Sequence, residues 1–162
     1  MKLIFAFLLA GSAWGAPCLT DTPQCTEPVI VGSKKHWSLV YRTQPLTVRN
    51  PNVTRAVIMV HGQGRNADHY FRTAVAAAFL AGAIDDSVVV APRIASKDRG
   101  CQDKLGEGEI SWPCSGTSWR AGGVAPEEQE ITSYHLMDQI LRLLASKETF
   151  PNLKSIVLAG HS

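Results

Sequence analysis

Three short apolar runs punctuate the chain. "RAVIMV" over residues 55–60, "SVVVA" over 87–91 and "SIVLA" over 155–159 are of strand length and rich in valine and isoleucine. Unbroken runs of this kind suit strands buried on both faces of a parallel sheet. Between the first two, Tyr70, Phe71, Ala74, Val75, Ala78 and Phe79 recur at helical spacing. Asn66 stands where a cap belongs and Gly82 where a helix ends. A second helix is expected over 127–145, with Ile131, Tyr134, Met137, Ile140, Leu141 and Leu144 as its apolar stripe. Pro126, Glu127 and Glu128 suit its first turn, where acids meet the positive helix end. Earlier, "WSLVYRTQPL" alternates in part and predicts one or two antiparallel strands within 36–46. Residues 93–126 carry no sustained period, and an irregular stretch that long is usually functional or a lid. Strands alternating with helices predict an α/β fold, a parallel sheet with helices on both faces. Met59 and Met137 read as core residues.

Hydrophobic residues make up 45% of the 162 positions and charged residues 19%, so the chain is expected to fold rather than stay disordered. The net charge is +2 with no basic block, which leaves nucleic-acid binding unsupported. Lys2, the apolar residues 3–10 and the small residues Ala13 and Gly15 form a leader, with cleavage expected after Gly15. Its apolar run is shorter than the roughly 20 residues of a membrane span, so no stable membrane insertion is expected. The chain then divides into a leader (1–15), a Cys/Pro-containing segment (16–35) and a folded region (36–162). Export, to an extracellular or periplasmic location, makes Cys18, Cys25, Cys101 and Cys114 candidates for disulfides. Four cysteines allow three connectivities. Local pairing, Cys18 with Cys25 and Cys101 with Cys114, is favoured because each bridge would clip a loop with little else to hold it. Without a C-x-x-C or His/Cys cluster, zinc is a poor alternative, and no cofactor is expected. Asn52-Val53-Thr54 is a glycosylation sequon, relevant only in a eukaryotic source.

The candidate chemistry sits where strands end. Gly160-His161-Ser162 follows the last strand as the start of a G-x-S-x-G turn, which holds a serine hydroxyl out for nucleophilic attack. A serine needs a base to remove its proton, and the tetrahedral intermediate needs N–H donors for its oxyanion. His61-Gly62-Gln63-Gly64 follows the first buried strand, and the Gln63 main-chain N–H is the candidate donor. Neither phosphate-loop spacing fits this turn. His61 reads as a buried hydrogen-bonding anchor rather than a base. In the long loop, Trp112, Trp119 and Arg120 either line a substrate pocket or anchor the loop to the core.

Taken together, "VHGQGRNADHYF" (60–71), "VVVAPR" (88–93), the Trp112, Trp119, Gly122 and Gly123 segment, and "FPNLKSIVLAGHS" (150–162) resemble secreted or bacterial members of the α/β-hydrolase family. The resemblance implies the amino-terminal half of a three-layer α/β-hydrolase fold with a mostly parallel sheet. It also implies an acyl-transfer enzyme acting on a small-molecule or polymeric ester, with Ser162 as nucleophile. In that family the triad acid and histidine follow the nucleophile along the chain. All five histidines here precede Ser162. The sequence therefore reads as an amino-terminal fragment, expected to lack triad-dependent activity alone. A peptidase or acyltransferase of the same fold, or a secreted binding protein without catalysis, are the alternatives.

Overall fold

The structure, a computed structural model, describes residues 15–32 and 36–160. The expected leader falls almost wholly outside the described residues, as do His161 and Ser162. Among these residues, seven strands and two α-helices follow one another as β1 (Thr26–Ile30), β2 (Trp37–Arg42), β3 (Arg55–Val60), α1 (Ala67–Leu80), β4 (Ser87–Pro92), β5 (Val124–Ala125), β6 (Glu128–Thr132), α2 (Ser133–Ala145) and β7 (Ser155–Gly160).

The three apolar runs become β3, β4 and β7, and these neighbour one another in the order β4-β3-β7 with parallel pairing. All six residues of β4 are buried. Its side chains alternate between two cores. Val88 and Val90 face a cluster with Ile58, Leu136, Ile140 and Leu144, while Val89 and Ala91 join Cys25, Phe71, Ala74 and Val75. Helix α2 therefore covers one face and α1 the other. Full burial of one valine contributes about 1.5–3 kcal/mol relative to leaving it exposed. Of the methionines, Met59 packs partly buried against the α1 core and Met137 against the α2 core.

The sheet does not continue in this parallel pattern. β2 pairs antiparallel with β4, and β1 antiparallel with β2, giving the order β1-β2-β4-β3-β7. β5 and β6 form a separate antiparallel pair. Three of the five pairings among the described strands are thus antiparallel. The expected three-layer α/β-hydrolase fold with a mostly parallel sheet is overturned: the domain is strand-rich, its sheet is mixed, and two α-helices are present among the described residues. The cause is local. β1 and β2 lie close enough in sequence to pair back to back, a connection that favours antiparallel strands. After β4 the chain enters an irregular segment instead of a crossover helix.

Several boundaries also differ from expectation. β1 lies within the Cys/Pro-containing segment, where Pro28 is tolerated because the strand is at the edge of the sheet. The second helix begins at Ser133, not near residue 127, because Glu128–Thr132 is spent on β6. Thr132 caps it through a reciprocal arrangement with His135, whose Nδ1 accepts from the Thr132 N–H at 2.9 Å. Asn66 stands before α1, but its side chain makes no capping hydrogen bond. Two disulfides, Cys18–Cys25 and Cys101–Cys114, join the expected local partners. The disulfides are compatible with a secreted protein. No helix among the described residues is long and apolar enough to cross a membrane.

Candidate functional site

Strands β4, β3 and β7 release their chains at the same edge, the end of a parallel sheet where ligands commonly bind. The register sets this closely: Val60 lies opposite Gly160. The turn of residues 61–64 therefore leaves the sheet beside Gly160, the last described residue of β7. Ser162 itself lies outside the described residues.

The turn is tight and asymmetric. His61 and Gly62 are buried, while Gln63 and Gly64 are exposed. The Arg65 N–H donates to the Gly62 carbonyl at 3.0 Å, and Arg65 sits at φ +52°, a left-handed conformation unusual for a residue with a side chain. Among the described residues no carbonyl or side chain accepts from the Gln63 main-chain N–H.

His61 anchors the base of this turn. Its Nε2 accepts from the Ile94 N–H at 3.2 Å, which ties the exit of β3 to the exit of β4. With that lone pair used, Nδ1 carries the proton and donates to the Gly62 carbonyl at 3.0 Å. Burial pushes the imidazole pKa below its ordinary value, and the Arg65 charge adds to the effect. The ring meets Trp119 edge to face, with centroids 5.1 Å apart.

Residues 93–123 form the other wall. Charges that would be costly to bury alone are paired here. Glu109, 4% exposed, accepts from Arg93 Nη1 at 2.6 Å and from the Gly106 N–H at 2.9 Å. Arg65 donates through Nη1 to Asp103, and Asp103 also accepts from the Ser96 N–H at 2.7 Å. The Asp98 carboxylate accepts from the Cys114 N–H at 2.8 Å, next to the Cys101–Cys114 bridge. Gly123 is needed for close approach, since a Cβ there would lie 2.4 Å from both Pro113 and the Thr117 carbonyl.

The two candidate substrate-binding tryptophans separate. Trp112 is fully buried and donates from Nε1 to the Ser38 hydroxyl at 3.3 Å, so it anchors the loop in the core. Trp119 lines an apolar cavity of about 370 Å³ with Val60, Ile94, Met137 and Leu158, and Arg120 borders it. The bridge Cys101–Cys114 belongs to this wall, whereas Cys18–Cys25 lies with the α1 core. Among the described residues no group of three or more His, Cys, Asp or Glu is placed to hold a metal ion. Of the ion pairs, Arg65–Asp103, which ties the turn to the facing loop, and Arg93–Glu109, which lies within that loop, leave no signal in the sequence. Only the Gly64-Arg65-Asn66 turn composition hints at a special backbone position.

No family model matches the chain, and neither does any curated protein or any solved structure. With the mixed sheet, this overturns the family resemblance drawn from the motif strings. The class that fold and site define is a strand-rich, mixed-sheet domain held by two disulfides, with a tight glycine turn at the carboxyl edge of its parallel strands.

Proposed function

We propose that this is a secreted hydrolase of carboxylic esters that works through an acyl-enzyme on Ser162. The observation that supports the reading is the parallel pairing of Val60 with Gly160, which sets the Gly62–Gln63 turn beside Gly160, two residues before Ser162 in the sequence. The Gln63 N–H, which has no acceptor among the described residues, is the candidate oxyanion donor. In the reaction, Ser162 Oγ attacks the acyl carbon while a base takes its proton. The carbonyl oxygen becomes an oxyanion that accepts from Gln63, and the alcohol leaves with the proton. Water then attacks the acyl-enzyme and releases the acid. The base is none of the four described histidines. His61 has both nitrogens engaged, His135 caps α2, His36 lies beside Glu128 and His69 is on the exposed surface of α1.

A non-catalytic secreted binding protein is the second reading, favoured by that same lack of a free histidine at the edge among the described residues. The test uses the protein as its source secretes it, with p-nitrophenyl esters as substrates and a fluorophosphonate as covalent probe. Turnover lost in Ser162→Ala, with the probe mapped to Ser162, is the expected result. A protein that neither turns over esters nor takes the probe at Ser162 is the binding protein instead.

A further inference from the structure

The geometry points to Arg65 as the positioning residue for the Gln63 donor, an inference that rests on the ester-hydrolase reading. The turn containing Gln63 is exposed and has few contacts of its own. Within it, the Arg65 N–H and His61 Nδ1 both donate to the Gly62 carbonyl, and His61 anchors the β3 side through Ile94. On the far side of Gln63, the tie to the rest of the molecule is the Arg65 side chain. That side chain is only 14% exposed and crosses to the opposite wall. There Nη1 donates to Asp103, and Nη2 reaches the Cys101 carbonyl at 3.4 Å.

The far end of this tether is itself rigid. Asp103 and Ser96 exchange backbone and side-chain hydrogen bonds, with the Asp103 N–H on the Ser96 carbonyl at 2.7 Å and the Ser96 N–H on the Asp103 carboxylate at 2.7 Å. Cys101 is bridged to Cys114. Arg65 makes these contacts from a left-handed backbone, at φ +52°. A preorganised donor costs no reorganisation as charge develops, so what holds the donor still belongs to the mechanism without touching the substrate.

The test compares wild type, Arg65→Ala, Arg65→Lys and Asp103→Asn in the secreted protein. The first readout is independent of activity: the amide order parameter of Gln63 by NMR. It is expected near the rigid value of about 0.85 in wild type and below about 0.6 in Arg65→Ala. The second is steady-state ester hydrolysis. The turnover number in Arg65→Ala is expected to fall about ten- to a hundredfold, less than the hundred- to thousandfold cost of deleting an oxyanion donor outright. KM should stay within about twofold, because the ground-state carbonyl uses the donor little. Arg65→Lys should recover part of the turnover by keeping the ion pair, and Asp103→Asn should fall between wild type and Arg65→Ala. A merely structural residue would lower the melting temperature without this split between turnover number and KM. An unchanged Gln63 order parameter overturns the inference, as does an unchanged turnover number in folded Arg65→Ala. If the order parameter falls but Ser162→Ala leaves turnover intact, the hydrolase reading fails, and Arg65 is a structural residue of the turn alone.

Discussion

His61 shows how one side chain can settle a question of chemistry by its hydrogen bonds. Accepting from Ile94 and donating to Gly62, it has no lone pair left for a substrate or a serine. The bond accepted from Ile94 requires an unprotonated Nε2, and burial lowers the pKa from the ordinary 6.5. The unfolded chain then binds a proton more readily than the folded one. Stability rises with pH between the lowered folded value and 6.5, is fully present above 6.5, and is lost as pH falls through that window. Chemical denaturation at about pH 7.5 and about pH 5, on either side of the ordinary histidine value, should show wild type losing stability on acidification. His61→Gln should lose less over the same interval, because glutamine does not titrate. Equal losses in the two proteins would show that other groups carry the acid sensitivity.

At the scale of elements, the sequence is legible where burial on both faces forces an unmistakable apolar run. β3, β4 and β7 are readable for that reason, and so is α1 through Phe71, Ala74 and Val75. β1 is hidden because it is a partly exposed edge strand interrupted by Pro28. The start of α2 is masked because Glu127 and Glu128 look like a helix's acidic first turn, whereas Glu127 in fact accepts from the Ser111 N–H at 3.1 Å and Glu128 opens β6. Alternating strands and helices give the parallel direction of β3, β4 and β7, and the partial alternation of residues 36–46 gives the antiparallel β2, but neither points to β1. In the candidate site, the exposed Gln63 turn is visible as a glycine motif, but the ion pairs behind it join residues far apart in the chain and leave no local pattern. The irregular wall of residues 93–123 depends on such long-range ties. Replacing Cys101 and Cys114 together by serine should therefore cost about 2–4 kcal/mol in denaturant unfolding, through the entropy returned to the unfolded chain. Near-ultraviolet circular dichroism should change as well, since Trp112 lies within the clipped loop and Trp119 shortly after it. No loss of stability would mean that the buried Arg93–Glu109 pair and Trp112 hold the segment by themselves.

Across the whole molecule, the two borders of the five-stranded sheet differ in how they meet solvent. On the β1 side, Pro28 interrupts the row of N–H donors, and Glu27 pairs with Arg42 at 3.1 Å. Both features discourage another strand from joining. On the β7 side, residues 155–160 contain no charge and no proline, and Val157 and Leu158 are 53% and 52% exposed. Among the described strands none pairs with that border. An apolar, uncharged strand edge of six residues is a template for edge-to-edge pairing. A chain comprising residues 16–162 should thus self-associate as its concentration rises, seen as a growing sedimentation coefficient. Val157→Lys places a charge on the exposed face of β7 without entering either core, so it should suppress the association while leaving stability within about 0.5 kcal/mol of the parent. Leu158 is the poorer site, because it also walls the apolar cavity beside Val60 and Trp119. Association that persists unchanged in Val157→Lys would place the contact elsewhere, with exposed Phe79 and Leu80 at the end of α1 the next surface to charge.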